Sequence, residues 1–155
     1  MEPPSDRPVE IVDEIGIPDV YGLVTGAIRA ALRAHPAPGE VAVLLTGDER
    51  VRTLNRDFRG IDSPTDVLTF PDEDGRLGDI AIAVPYATRQ AVRRRVGLDQ
   101  ELGYLAIHGA LHLAGMDDET EPERAEMQRE MNTIAVRIGL PPDEAWSSVL
   151  HEVES

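Results

Sequence analysis

Along the first half of the chain, apolar and polar residues follow patterns that predict short strands. Residues 9–14 alternate well enough for a strand, and the apolar run VAVLLT (41–46) is typical of a fully buried strand. DVLTF (66–70) and DIAIAV (79–84) predict two further strands, and the acidic, glycine-containing stretch 72–78 between them predicts a hairpin loop. These four segments predict a small β-sheet.

Helical periodicity fills most of the remaining chain. Asp19 is expected to cap a helix through GAIRAALRA, and Asp48 a short helix DERVRTLNRDF, because an aspartate side chain accepts hydrogen bonds from the N–H groups of a first helical turn. From Pro85 onward four segments have helical patterns: YATRQAVRRRVG, LDQELGYLAIHGALHLAG, PERAEMQREMNTIAVRIG and PDEAWSSVLHEV. Strands first and helices last predict an α+β domain, with a small mixed sheet of about four strands packed against five or six helices.

The length of the chain, 155 residues, suits one domain, and no internal repeat or linker divides it. We expect a single domain over residues 1–155, with residues 1–8 flexible. The absence of cysteine excludes disulfides, thiolate zinc sites and cysteine nucleophiles. No apolar stretch approaches the roughly 18 residues of a membrane span, and the acidic, proline-rich start is unlike a secretory signal. The expectation is a cytoplasmic protein without a membrane partner.

The charge of the chain is strongly negative but unevenly distributed. The net charge is −14, from 29 acidic residues and 15 basic residues, all of them arginine, which disfavours unspecific binding to a phosphate backbone. Residues 50–95, however, hold nine arginines and seven acids, whereas the flanks hold six arginines and 22 acids. A nucleic acid would therefore contact the middle third, and Arg93 and Arg94 are candidate contacts. The alternative is that Arg93–Arg95 form the solvated side of a helix.

The residues with metal chemistry are concentrated in the segment HGALHLAGMDD, which follows an apolar helical stretch. His108 and His112 stand at i and i+4, so both imidazoles lie on one helix face and can bind one ion. Gly115 can end the helix in a left-handed conformation and turn the chain back. That turn would bring Asp117 or Asp118 to the third ligand position. The alternative is a pair of buried histidines with hydrogen-bond partners and no metal.

The spacing H-x-x-x-H-x-x-G-x-x-D is the metzincin zinc pattern with two changes. Gly109 occupies the position of the general-base glutamate, and Asp118 occupies the position of the third histidine. The spacing favours a zincin-like metal helix with Asp118 as third ligand. The missing glutamate argues against peptide hydrolysis, so a metallopeptidase is only an alternative.

Two blocks of the sequence resemble the YbeY family, which are bacterial metal-dependent endoribonucleases of rRNA maturation. HGALHLAGMDD resembles the family signature HGxLHLxGxDH, and residues 55–71 resemble N-x-x-(F/Y)-R-x-x-D-x-PTDVLSFP. Gly78–Ile80 matches the family's GDI strand, and Glu101 begins the helix that carries the histidines. The resemblance covers residues 50–130 almost without gaps. It departs from the family at Asp118, where the signature has histidine.

The resemblance implies a site and a reaction. His108 and His112 would bind one Zn²⁺ or another divalent ion, with Asp118 as third ligand. The alternatives are that Asp117 or water occupies the third ligand position, or that the site is degraded. Arg59 matches the arginine required for cleavage, and a guanidinium is suited to hold the scissile phosphate and stabilise its developing charge.

The implied substrate and partners are ribosomal. The family cleaves single-stranded RNA with a metal-activated water, matures the 3′ end of 16S rRNA and acts on defective ribosomes. The expected partners are therefore rRNA and the ribosome or a small-subunit precursor, and not DNA. The alternative function is that of a ribosome-associated assembly factor whose metal site is structural or degraded.

Overall fold

Four strands form one mixed sheet in the computed structural model, which describes residues 8–72 and 74–147. The strands are β1 (Val9–Asp13), β2 (Val41–Thr46), β3 (Val67–Pro71) and β4 (Gly78–Ala83). Their spatial order is β1-β2-β4-β3. β1 and β4 run parallel to β2, whereas β3 runs antiparallel to β4. The hairpin predicted over residues 72–78 is therefore confirmed, and β3 forms one edge of this sheet.

Five α-helices surround the sheet in the described part of the chain. They are α1 (Tyr21–Ala34), α2 (Asp48–Arg59), α3 (Val84–Arg94), α4 (Leu98–Leu113) and α5 (Glu121–Arg137). A 3₁₀ turn, Pro18–Val20, precedes α1. The predicted α+β class, with about four strands and five or six helices, is confirmed. No helix of these residues has the length and apolar character needed to cross a membrane.

The two faces of the sheet have separate hydrophobic cores, because successive strand residues point to opposite faces. The larger core lies between the sheet and α1, α4 and α5, and includes Val43 and Ile80. The smaller core lies under α2 and contains Val51, Leu68 and Ala81. Consequently α2 and α4 lie on opposite faces of the same sheet.

Helix α4 passes through the middle of the larger core, and twelve of its sixteen residues are buried. At Gly109 the helix lies so close to β4 that an added Cβ would stand 3.0 Å from Ile80 Cγ2. The helix ends at Leu113, and Gly115 adopts a φ of 102°, the left-handed turn that the sequence predicts.

Three details of the sequence prediction need correction. Asp19 does not cap α1, because Pro18 starts a 3₁₀ turn and Val20 is the N-cap residue. Asp48 is the first residue of α2 rather than its cap, which is Gly47. The helix predicted for PDEAWSSVLHEV is wrong for its first part, because residues 142–147 form no helix. The rest of that predicted helix falls outside the described residues, as does the N-terminal segment predicted to be flexible, except for Pro8.

Candidate metal centre and arginine surface

The side chains of His108, His112 and Asp118 converge on one point. His112 Nε2 lies 3.1 Å from His108 Nε2 and 2.9 Å from Asp118 Oδ2, and His108 Nε2 lies 3.5 Å from Asp118 Oδ2. Tetrahedral ligands at the usual Zn–N and Zn–O lengths of about 2.0–2.1 Å stand roughly 3.3 Å apart. Two imidazole nitrogens and one carboxylate oxygen at these separations fit a divalent metal ion.

Local structure holds these three donors in place. The rings of His108 and His112 lie one helical turn apart on α4, with centroids 4.5 Å apart. Gly115 reverses the chain, and Arg124 of α5 donates hydrogen bonds to the backbone carbonyls of Asp118 and Glu119. Because these bonds fix the loop backbone, the Asp118 carboxylate is directed at the histidines.

Asp118 rather than Asp117 joins the histidines. The side chain of Asp117 is exposed and does not belong to the three-donor group. The side chains of His112 and Asp118 keep 23% and 14% of their surface exposed, so the point between them is reachable from solvent. A structural zinc site has four protein ligands, whereas three donors come together here among the described residues.

A buried aromatic side chain that sequence reasoning did not assign to the site packs against it. The ring of Trp146 lies 5.2 Å from the ring of His108 and stacks on Tyr104 at 5.8 Å. Its Nε1–H donates a 3.0 Å hydrogen bond to Glu101 Oε2. The other oxygen of this carboxylate, Oε1, accepts a hydrogen bond from Arg94. Burial raises the pKa of Glu101, while the Trp146 hydrogen bond and the Arg94 charge act in the opposite direction. The only signal for Trp146 in the sequence is that it is the single tryptophan.

A cleft of about 570 Å³ opens beside His108 and Asp118. Its rim is mainly acidic, with Arg124 as a cationic member, and the acidic lining residues are Asp118, Glu119, Glu121 and Glu144. Met127 and Met131 also line the cleft and are buried members of the larger core. The negative rim would repel a phosphate, so approach of RNA from this side depends on cations.

Arg59 is the last residue of α2, and its side chain is exposed. It makes no ion pair within the described part of the chain. The neighbouring Phe58 contacts Phe70 near the end of β3, with ring centroids 5.3 Å apart. The end of α4 reaches the same end of the sheet, because a Cβ added to Gly78 would lie 2.7 Å from Leu113 Cδ2 and 2.5 Å from the Phe70 carbonyl oxygen. Arg59 and the metal donors thus approach one end of the sheet from opposite faces.

Most of the central arginines are paired with acids. The five paired arginines are Arg52, Arg56, Arg76, Arg89 and Arg94. Arg94 is 20% exposed and bridges the buried Glu101, at 3.2 Å, and Asp143, at 2.9 Å. Its geometry therefore serves the contact between α3, α4 and the segment after α5. Arg93 is exposed, and among the described residues it has no ion-pair partner.

The family model for Endoribonuclease YbeY matches residues 14–139. The chain belongs to the YbeY family. The resemblance seen in the two sequence blocks is confirmed, and the matched region includes every candidate site residue named above.

Relatives and a solved structure agree with this assignment. The Endoribonuclease YbeY of Brevibacillus brevis is 38% identical, over 85% of this chain and 92% of its own. The Endoribonuclease YbeY of Geobacillus thermodenitrificans is 42% identical, over 72% of this chain and 80% of its own. The solution structure of TM1509 from Thermotoga maritima superimposes with a TM-score of 0.61 at 26% identity, over 84% of this chain and 91% of that one. This chain has aspartate at position 118, where the family signature has histidine.

Proposed function

We propose that this protein is a metal-dependent endoribonuclease that cleaves single-stranded RNA. Its substrate would be the 3′ end of 16S rRNA, including that of defective ribosomes, and its partners the ribosome or a small-subunit precursor in the cytoplasm. The observation that carries the proposal is the solvent-reachable group of His108, His112 and Asp118. The names of the relatives, Endoribonuclease YbeY, support RNA cleavage as the reaction.

The donor set suits one Zn²⁺, held by His108, His112 and Asp118. Such an ion, when bound, acidifies a coordinated water and polarises a phosphoryl oxygen. Asp118 contributes a negative charge where histidine would be neutral, which lowers the net charge of the site. The carboxylate is also a harder donor, so Mn²⁺ or another divalent ion is a competent substitute.

Arg59 binds the scissile phosphate in this proposal. A guanidinium donates two parallel hydrogen bonds to phosphate oxygens and neutralises the charge that grows there during cleavage. Its exposure and its position at the metal end of the sheet support this role. Arg93 contacts the RNA backbone more remotely. Arg94, also nominated by sequence, would contribute mainly through its long-range charge, because Glu101 and Asp143 occupy its guanidinium.

The alternative functions have less support. A metallopeptidase of the metzincin type needs a glutamate beside the metal, but at Gly109 even a Cβ would press on Ile80. A structural zinc in an assembly factor would have four protein ligands, whereas the described residues bring three donors together.

The test is cleavage of an end-labelled single-stranded RNA carrying a 16S 3′-end sequence, compared with the same strand in a duplex. We expect cleavage of the single strand, loss of activity after chelation, and recovery after addition of Zn²⁺ or Mn²⁺. His112→Ala should be inactive with either metal. Metal-independent cleavage, or equal cleavage by His112→Ala, would overturn the proposal.

A further inference from the structure

Beside Arg59 lies an aromatic pair that the proposed reaction does not use. We propose that Phe58 and Phe70 form a stacking platform for one unpaired RNA base, adjacent to the phosphate bound by Arg59. This inference rests on the proposed function, since it assigns to the RNA substrate a second contact.

The pair is unusual in its exposure. Phe58 and Phe70 are the two phenylalanines of the chain, and they meet edge to face with ring planes at 64°. Phe58 is 70% exposed although burial of a phenylalanine side chain stabilises a fold. Phe70 supports it from the sheet and is only partly exposed. The ring of Phe58 therefore rests against Phe70 and is left largely uncovered by the described residues.

The neighbouring charges favour a nucleotide over an apolar partner. Arg59 follows Phe58 directly and is exposed without an ion pair among the described residues. Single-stranded RNA is bound by aromatic rings that stack on its bases together with cations that hold its backbone. An aromatic ring and an unpaired guanidinium on consecutive residues of α2 provide both kinds of contact. A purely hydrophobic interface would bring the same guanidinium into an apolar contact and desolvate it at a cost.

The platform and the metal centre lie at the same end of the sheet, on opposite faces. Phe70 contacts Phe58 through its ring, while its carbonyl oxygen lies beside Gly78. Gly78 in turn packs against Leu113, the residue after His112. An RNA strand that crosses this end of the edge strand β3 can place one base on Phe58 and the next phosphates near the metal donors. The stacked base then sets the register of cleavage.

The experiment measures binding of a short single-stranded RNA by fluorescence anisotropy, at several salt concentrations, with metal-loaded protein. Phe58→Ala should weaken binding about tenfold, as loss of one stacked base does, whereas Phe58→Trp should bind at least as tightly as wild type. The slope of log Kd against log salt should stay unchanged in Phe58→Ala, because phenylalanine neutralises no phosphate. Val136→Ala, which truncates a side chain 56% exposed on α5, is the matched control and should bind normally.

Abasic substrates separate stacking from any other effect. An RNA without one base should bind wild type as weakly as Phe58→Ala binds the intact strand, and Phe58→Ala should not distinguish the two strands. If Phe58→Ala unfolds at the same temperature as wild type and binds RNA with wild-type affinity, the platform is overturned. Cleavage of RNA by the wild-type protein would leave the proposed function intact in that case. If Phe58→Ala instead loses capture of a ribosomal protein but binds RNA normally, the surface is a protein contact and the inference is wrong. Failure of the wild type to bind or cleave the RNA overturns both proposals.

Discussion

The end of α4 and the arginine-rich middle third both carry candidate functional residues. In the folded protein the residues at the end of α4 come together, whereas most of the arginines of the middle third pair with acidic residues. At the end of α4 the three donors lie within 4.8 Å of one another, as the spacing of the histidines and the glycine turn predicts. In the middle third, most of the nine arginines are matched by acids from α2, the loop after α2, the β3–β4 hairpin or α4. The spacing of two donors along one helix is the same in the sequence and in the folded protein. A local excess of arginine is different, because ion pairs with acidic residues neutralise much of its charge.

Four of the nine central arginines are available to bind a phosphate in the described part of the chain. Within the described residues the central arginines without an ion pair are Arg50, Arg59, Arg93 and Arg95. Exposed ion pairs contribute little to stability but reduce the charge that a phosphate meets. The RNA surface is therefore smaller than the arginine count suggests, and Arg59 is its member nearest to the metal end of the sheet.

The largest effect is expected for Arg59→Ala, which tests whether an arginine of the middle third takes part in the reaction of the α4 site. Cleavage should fall about 100- to 1000-fold, the scale for loss of one group that stabilises developing charge. Metal content and thermal stability should not change, because Arg59 is exposed and contacts none of the donors. Arg50→Ala, at the opposite end of the same helix, is the control. Single-turnover rates that are equal in the two variants would remove Arg59 from the mechanism.

The sequence predicts the donors of the metal group better than the arginine contacts for a physical reason. His108 and His112 are related by one helical turn, and Gly115 needs only its own backbone freedom to reverse the chain. The partners of Arg94 are seven and 49 residues away, so no local pattern reveals them. The contact of Trp146 with His108 depends likewise on the path of the chain after α5. Local geometry is readable from the sequence, and long-range packing is not.

A second effect, about 10- to 100-fold in Zn²⁺ affinity, is expected for Asp118→Ala, since even partners beyond the direct ligands contribute on that scale. Asp117→Asn should change affinity little, because that side chain is exposed outside the donor group. Asp118→His should retain or tighten binding by restoring a neutral imidazole donor. Competition with a chelator measures all three variants. Metal release by Asp117→Asn but not by Asp118→Ala would reverse the assignment.

A smaller effect is expected from charge reversal on the unpaired arginines of the middle third. The double variant Arg93→Glu/Arg95→Glu should weaken RNA binding several-fold at low salt and flatten the salt dependence, since each lost phosphate contact lowers the slope by about one. Arg129→Glu/Arg137→Glu makes the same charge change on exposed positions of α5 and should have less effect. Equal losses in the two variants would mean that net charge alone controls binding, and that the middle third has no special surface.

The smallest effect concerns Glu101, where the two regions touch through Arg94 and Trp146. Burial raises the pKa of this carboxyl in the folded protein, so the folded state keeps the proton at a pH where the unfolded chain has released it. The stability that this group provides is therefore greatest below its ordinary pKa and is lost as the pH rises through the folded value. Glu101→Gln, which imitates the protonated form, should gain stability relative to wild type over the range of pH above the ordinary pKa of glutamate. Thermal unfolding of both proteins across that range measures the difference. If wild type gains instead, the ion pair with Arg94 outweighs the desolvation of Glu101, and Arg94 stabilises the contact between the regions by charge rather than by packing.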